Sequence, residues 1–129
     1  MKYGAKVVFI DHLHFVIDIF AMKSPSLGIG KVLRDLKNLA KELEICIVML
    51  AHTTKVKMDK DDTELDLADI RDSSFIAQES DTCLLIWRVQ EENGAVLKVG
   101  KARHTGVMNK KIKLHKGFDG FLREVWNGD

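Results

Sequence analysis

The sequence predicts an α/β fold: a mostly parallel sheet with flanking helices and a C-terminal β-hairpin. Three observations carry that expectation. Short continuous apolar runs occur at residues 7–10 (VVFI), 45–51 (ICIVMLA) and 82–89 (TCLLIWRV). Such runs are typical of strands buried on both faces, as in a parallel sheet. Between the first two lies a segment with helical spacing, giving strand, helix, strand, the right-handed crossover unit. Residues 95–99 and 111–115 alternate apolar with polar, the pattern of a hairpin or meander.

The elements follow in order. The first strand ends at Asp11, although apolar residues continue through Phe15, Val16, Ile17 and Ile19. Residues 23–30 (KSPSLGIG) are punctuation, with Ser24-Pro25 a helix start. From Ile29 to Glu44, apolar residues at 29, 32, 33, 36, 39, 40 and 43 line one face. Lys31, Arg34, Asp35, Lys37, Lys41 and Glu42 take the other face. The second strand leads to His52. Residues 53–66 are polar and charged, the composition of a surface loop. Residues 69–80 suit a short helix with Phe75 and Ile76 inward. After the third strand, 91–94 and 117–120 (GFDG) are turn signals.

Composition bounds the function classes. A chain of 129 residues is one domain's worth, since domains usually hold about 100–200 residues. With 46% hydrophobic and 30% charged residues it is ordinary globular material. The net charge of +1 announces no partner. It hides an uneven distribution, though. Residues 59–81 are mostly acidic, and residues 98–116 carry Lys98, Lys101, Arg103, Lys110, Lys111, Lys113 and Lys116 with no carboxylate. Solvated strand faces or nucleic-acid contact would each explain that basic segment. Cys46 and Cys83 sit in apolar runs and read as buried thiols in a reducing compartment. No apolar stretch approaches the roughly 20 residues of a membrane span, and residues 7–10 are too short for a secretory signal. The expectation is a cytoplasmic protein, one domain over residues 1–129, or a piece of a larger one.

A few residues could carry chemistry. Asp11 stands at the carboxyl end of a strand, where open α/β sheets bind ligands, and its carboxylate can hold Mg²⁺. A turn cap is the alternative role. His52 ends the second strand and would share a crevice with Asp11 if the strands are neighbours. It could hydrogen-bond a phosphate oxygen or, equally, be satisfied by backbone. Lys101 and Arg103, two apart, share a face in extended chain and suit a phosphate or carboxylate, although an exposed basic hairpin looks the same. Gly30-Lys31-Val32 imitates a phosphate-binding loop. The motif needs Gly where Pro25 stands and Ser or Thr where Val32 stands. No other stretch fits. His12 and His14 share a face without a third ligand at metal spacing.

Read together, these segments resemble the C-terminal part of the RecA-like motor domain of hexameric replicative helicases, the DnaB family and the related phage primase-helicases. Residues 7–17 (VVFIDHLHFVI) resemble a Walker B strand, with Asp11 as its magnesium-associated aspartate. Residues 46–55 (CIVMLAHTTK) resemble the next strand, with His52 where the family keeps a Gln or His that senses the γ-phosphate. Residues 66–81 (DLADIRDSSFIAQESD) resemble a DNA-associated motif matched by Asp69, Arg71, Ser73, Ile76, Gln78, Ser80 and Asp81. Residues 99–106 (VGKARHTG) resemble the family's region of a lysine and an arginine finger, matched by Lys101 and Arg103.

The resemblance implies a partial RecA-like P-loop NTPase fold whose P-loop strand and catalytic glutamate lie upstream of these residues. It implies ATP and Mg²⁺ bound between subunits and single-stranded DNA held by Lys55, Lys57 and Arg71. Lys101 and Arg103 would complete the neighbour's site. Phosphoryl transfer depends on positioning and charge stabilisation, so the chain alone is expected neither to bind ATP well nor to hydrolyse it. The acidic run 59–66 would repel DNA unless it points away. A non-catalytic single-stranded-DNA-binding or assembly module, and a RecA-type recombinase or circadian-clock-like remnant, are the alternatives. A sheet without its P-loop strand exposes an edge, so self-association or pairing with an upstream P-loop-bearing partner is expected.

Overall fold

Two parallel strands and a helix that crosses between them form the first part of the molecule; four antiparallel strands form the second. The computed structural model describes residues 4–13, 16, 25–53, 64–70, 73–89 and 93–125. The chain divides into two compact units. One comprises residues 1–54 and 70–80, the other residues 55–69 and 81–129.

In the first unit, β1 (Val7–Ile10) pairs in parallel with β2 (Cys46–Met49), from Val7 opposite Cys46 to Ile10 opposite Met49. The ladder extends past both ends through Cys46 N–H to Lys6 O (2.9 Å) and Leu50 N–H to Ile10 O (3.0 Å). Neither strand is buried on both faces, contrary to the reading of their apolar runs. Burial alternates along each, and Val7 and Phe9 on β1 and Cys46 and Val48 on β2 are exposed. Helix α1 (Pro25–Leu43) packs against β2, and among the described residues nothing covers the opposite face. An apolar run records that a strand is made to be covered, not which polypeptide covers it.

Helix α1 starts at Pro25, whose fixed φ and missing N–H suit a first turn. Its apolar stripe is buried at Ile29, Val32 and Leu33 but opens out at Leu39 and Leu43. The helix stops in a Schellman arrangement. Glu44 takes φ 51°, its N–H donates to Lys41 O (3.3 Å), and Ile45 N–H donates to Ala40 O (3.0 Å). Helix α2 (Ser73–Glu79) packs on α1. The Phe75 ring lies directly over Gly30, where a Cβ would come within 2.8 Å of Phe75 Cδ1. Gly30 thus sits inside a helix because a second helix needs the space, and Lys31 beside it pairs with Asp35 at 3.1 Å. Lys37 donates to Glu79 O (2.9 Å) at the C-terminus of α2, while Arg34 pairs with the Glu79 carboxylate at 3.3 Å.

The second unit is an antiparallel sheet in the order β3 (Thr82–Arg88), β4 (Gly94–Ala102), β5 (Lys110–Lys116), β6 (Leu122–Glu124). The third apolar run therefore forms the expected strand, but it pairs antiparallel with β4. The fold is α/β, with its parallel part confined to β1 and β2 among the described residues. Burial again alternates: Cys83 and Leu85 face inward, while Leu84 and Ile86 are exposed. The β4–β5 hairpin runs longer than its alternating residues suggest. The GFDG turn joins β5 to β6, with Gly120 at φ 84° and Gly117 N–H donating to Phe121 O (2.9 Å). No described helix is long and apolar enough to cross a membrane.

Candidate functional site

Asp11 and His52 emerge from the same end of neighbouring strands. Asp11 directly follows Ile10 on β1, and His52 lies three residues beyond Met49 on β2, the residue opposite Ile10. Asp11 is largely in solvent, its side chain 78% exposed. His52 is also exposed. Between them stands His12, which sequence reasoning considered only as a metal ligand. Its Nδ1 lies 3.9 Å from Asp11 Oδ1, and its ring meets that of His52 edge-on, centroids 4.3 Å apart and planes at 67°. Leu13, the next residue, is fully buried and donates its N–H to Leu50 O (2.9 Å), which fixes the chain just after Asp11 against the end of β2. The result is a row of carboxylate, imidazole and imidazole at a sheet's carboxyl end, where ligands of α/β folds collect. Chemically it offers one hard oxygen donor and ring nitrogens able to meet a phosphate.

The second pair of candidates lies in the other unit. Lys101 is half-buried on β4, opposite Cys83. The strand ends at Ala102, so Arg103 belongs to the turn that follows, and the shared-face argument for an extended pair does not reach it. Its place is set instead by Asp81: Arg103 N–H donates to Asp81 O (2.8 Å), and the guanidinium lies 3.5 Å from the Asp81 carboxylate. The aspartate that closes the 66–81 motif thus meets the arginine of the 99–106 motif. Lys55, Lys57 and Arg71, the nucleic-acid candidates, lie outside the described residues.

One charged cluster escaped the sequence reading. Lys98 looks like part of a solvated basic strand, yet it is 3% exposed. Its ammonium reaches Glu64 Oε1 (2.8 Å), Asp66 Oδ1 (3.2 Å) and Leu65 O (3.4 Å), and Lys111 reaches the other Glu64 oxygen (2.5 Å). The Lys111 and Lys98 hydrogen bonds hold the Glu64 carboxyl below its usual range, and Glu64 in turn pushes the Lys98 ammonium above its own. The available signal was alternation: Val96, Lys98 and Gly100 share a face, and Gly100 lies under the Leu67 side chain. The two described carboxylates of the 59–66 run are therefore folded onto lysines.

Known proteins resemble this chain along most of its length. Residues 1–123 match the family model described as DnaB-like helicase C terminal domain. The chain is 32% identical over 111 residues to the replicative DNA helicase DnaB of Helicobacter pylori (strain J99), covering 84% of this chain and 23% of that protein. It is 31% identical over 122 residues to a probable plasmid replicative DNA helicase of Chlamydia trachomatis serovar L2, covering 93% and 27%. Among solved structures it resembles one described as a DnaB-like replicative helicase and its interactions with primase, with a TM-score of 0.72 at 22% identity, covering 87% of this chain and 28% of that one. The chain spans about a quarter of the length of the curated relatives it matches.

Proposed function

We propose, from the premise that this chain belongs to the DnaB-like helicase C-terminal domain family, that it supplies the nucleotide-sensing, finger-bearing half of a ring-shaped DNA helicase motor in the cytoplasm. The P-loop that this chemistry needs would come from a segment outside these 129 residues. The observation that supports this most is the row of Asp11, His12 and His52 on adjoining ends of two parallel strands. The residues suit Mg²⁺: Asp11 offers an exposed carboxylate, and no described group of three or more His, Cys, Asp and Glu forms a cage. That fits a cation bound through one carboxylate, with nucleotide phosphates and water completing its shell. ATP supplies the phosphoryl group and the driving force when bound. His52 would hydrogen-bond the terminal phosphate. Lys101 and Arg103 would reach the nucleotide of the neighbouring subunit, with Asp81 holding the guanidinium aimed until phosphate competes for it. Lys55, Lys57 and Arg71 would hold single-stranded DNA by its backbone.

Titrating the chain alone with Mg²⁺ and ATP in a calorimeter should give no measurable binding. Mixing it with the P-loop-bearing half of a DnaB-like relative should produce ATP hydrolysis that Arg103→Ala lowers by about 10³-fold or more. Hydrolysis by the chain alone, or restored hydrolysis indifferent to Arg103, would refute the reading. A second reading is a non-catalytic single-stranded-DNA-binding or assembly module. It predicts DNA binding that depends on Lys55 and Lys57 and stays unchanged when nucleotide and P-loop partner are supplied.

A further inference from the structure

The second unit carries a row of basic side chains that no part of this reading uses. Side chains two apart on a strand share a face, so Lys111, Lys113 and His115 project together from β5. Pairing places Lys98 opposite Lys111 and Arg123 on β6 opposite His115. Lys111, Lys113, His115 and Arg123 are all exposed. At about 3.4 Å per residue the β5 part of the row spans roughly 14 Å. Its far end meets the turn that joins β5 to β6, which presents two aromatic rings to solvent: Phe118 fully, and Phe121 at 68% exposure. The Arg123 guanidinium stands 6.0 Å from the centre of the Phe121 ring. Cations in line beside exposed aromatic rings are the combination that sequence-independent binders of single strands use, cations for phosphates and rings for stacked bases.

Two carboxylates modify the row. Asp119 clamps Arg123 through both oxygens (2.9 and 2.5 Å) and orients it across the turn. Glu64, held from beneath by the buried Lys98, accepts a hydrogen bond from Lys111 at 2.5 Å. It occupies Lys111 as a phosphate oxygen would. No described carboxylate forms an ion pair with the Lys113 or His115 side chain.

The geometry points to the β5–β6 face as a single-stranded-DNA contact surface, in which Lys111, Lys113, His115 and Arg123 take backbone phosphates, Phe118 and Phe121 stack on bases, and Glu64 competes for Lys111. This deepens the helicase reading by adding a second hold on the same DNA, and it rests on the chain binding single strands at all.

The test is fluorescence anisotropy with labelled oligo-dT at several salt concentrations, using the whole chain, with circular dichroism to confirm that each variant folds. Lys111→Ala with Lys113→Ala should weaken binding about tenfold and flatten the slope of log K against log salt by about 1.4, near 0.7 for each phosphate no longer neutralised. Phe118→Ala with Phe121→Ala should weaken it about fivefold or more with the salt slope unchanged. Glu64→Gln should tighten binding about threefold, because Lys111 is released while Lys98 keeps Asp66. Binding that survives the β5 lysine changes but falls with Lys55→Ala and Lys57→Ala leaves the helicase reading standing and overturns this surface. Affinity that falls with the lysines and ignores the phenylalanines marks a general polyanion site and also overturns it. No binding by the unaltered chain or by Glu64→Gln overturns both.

Discussion

Removing Lys98 and removing its two carboxylate partners should have unequal effects on stability. The Lys98 side chain is 4% exposed, whereas those of Glu64 and Asp66 are 44% and 69% exposed. Replacing Lys98 with Met deletes a buried ammonium and its desolvation cost while keeping most of the stem volume. The two carboxylates return to water that they already touch. That change should stay within about 1 kcal/mol of wild type. The reverse change, Glu64→Gln with Asp66→Asn, leaves the ammonium buried with one carbonyl at 3.4 Å and two neutral amides. A stranded buried charge costs about 3–5 kcal/mol, and the amide oxygens still accept hydrogen bonds, so the lower end, about 3 kcal/mol, is expected. For a unit of this size that lowers the melting temperature by roughly 10 °C or more. Urea titrations followed by circular dichroism would read both variants from midpoints at a common slope. If Lys98→Met proves the more damaging of the two, the ion pairs outweigh the burial penalty and the reasoning fails.

Three more outcomes follow from the packing and charge. Gly30→Ala should gain about 1 kcal/mol of helix propensity and lose about 1–3 kcal/mol where its Cβ meets Phe75 at 2.8 Å. A net loss in urea titrations, relieved by Phe75→Leu, is expected, and a full gain of propensity would contradict the close approach. Acid should destabilise the second unit: Lys111 and Lys98 lower Glu64, and Arg123 with the Phe121 N–H lowers Asp119. Their stabilisation is complete above the unfolded carboxylate pKa near 4 and is lost as pH falls through the depressed folded values. Melting temperature should therefore drop below about pH 4, less steeply in Glu64→Gln with Asp119→Asn. Finally, among the described residues Val7, Phe9, Val48 and Leu50 leave one side of the parallel pair uncovered, with Phe9 72% exposed. Sedimentation should show mass rising with concentration and Phe9→Lys reversing it; a strictly monomeric species throughout would contradict the expectation.

What the sequence made legible was local. Helix α1 could be read from its apolar spacing to within a few residues at its start, because one stripe of a 3.6-residue period survives whatever surrounds it. Its C-terminus, one residue before the expected one, depended on Glu44 accepting a left-handed conformation, which few residues advertise. The three apolar runs announced strands correctly, and the helix between the first two announced their parallel pairing, but the direction of the third was not legible. TCLLIWR satisfies a parallel or an antiparallel neighbour equally, and only pairing with β4 decided. Burial of β1 and β2 was over-read for the same reason, since it depends on what lies beyond each strand.

The site shows the same boundary between local and distant information. Asp11 and His52 could be brought together on paper because strand ends are local landmarks and parallel pairing aligns them. The place of His12 beside His52 was not legible because a ring contact of 4.3 Å arises from how β1 ends, not from any spacing. Lys98 is the sharper case. Counting charge along residues 98–116 treats each lysine as equal, yet one is buried under Glu64 and Asp66 while Lys111 is shared with Glu64 at the surface. Sequence fixes the sign of a charge, but burial and pairing decide whether it is free to meet a ligand. The acidic run that should have repelled DNA is, at the two carboxylates described, already neutralised by lysines of the sheet. The objection it raised against a nucleic-acid surface therefore does not apply at Glu64 and Asp66, and among the described residues of that face the charge left without a carboxylate partner belongs to Lys113.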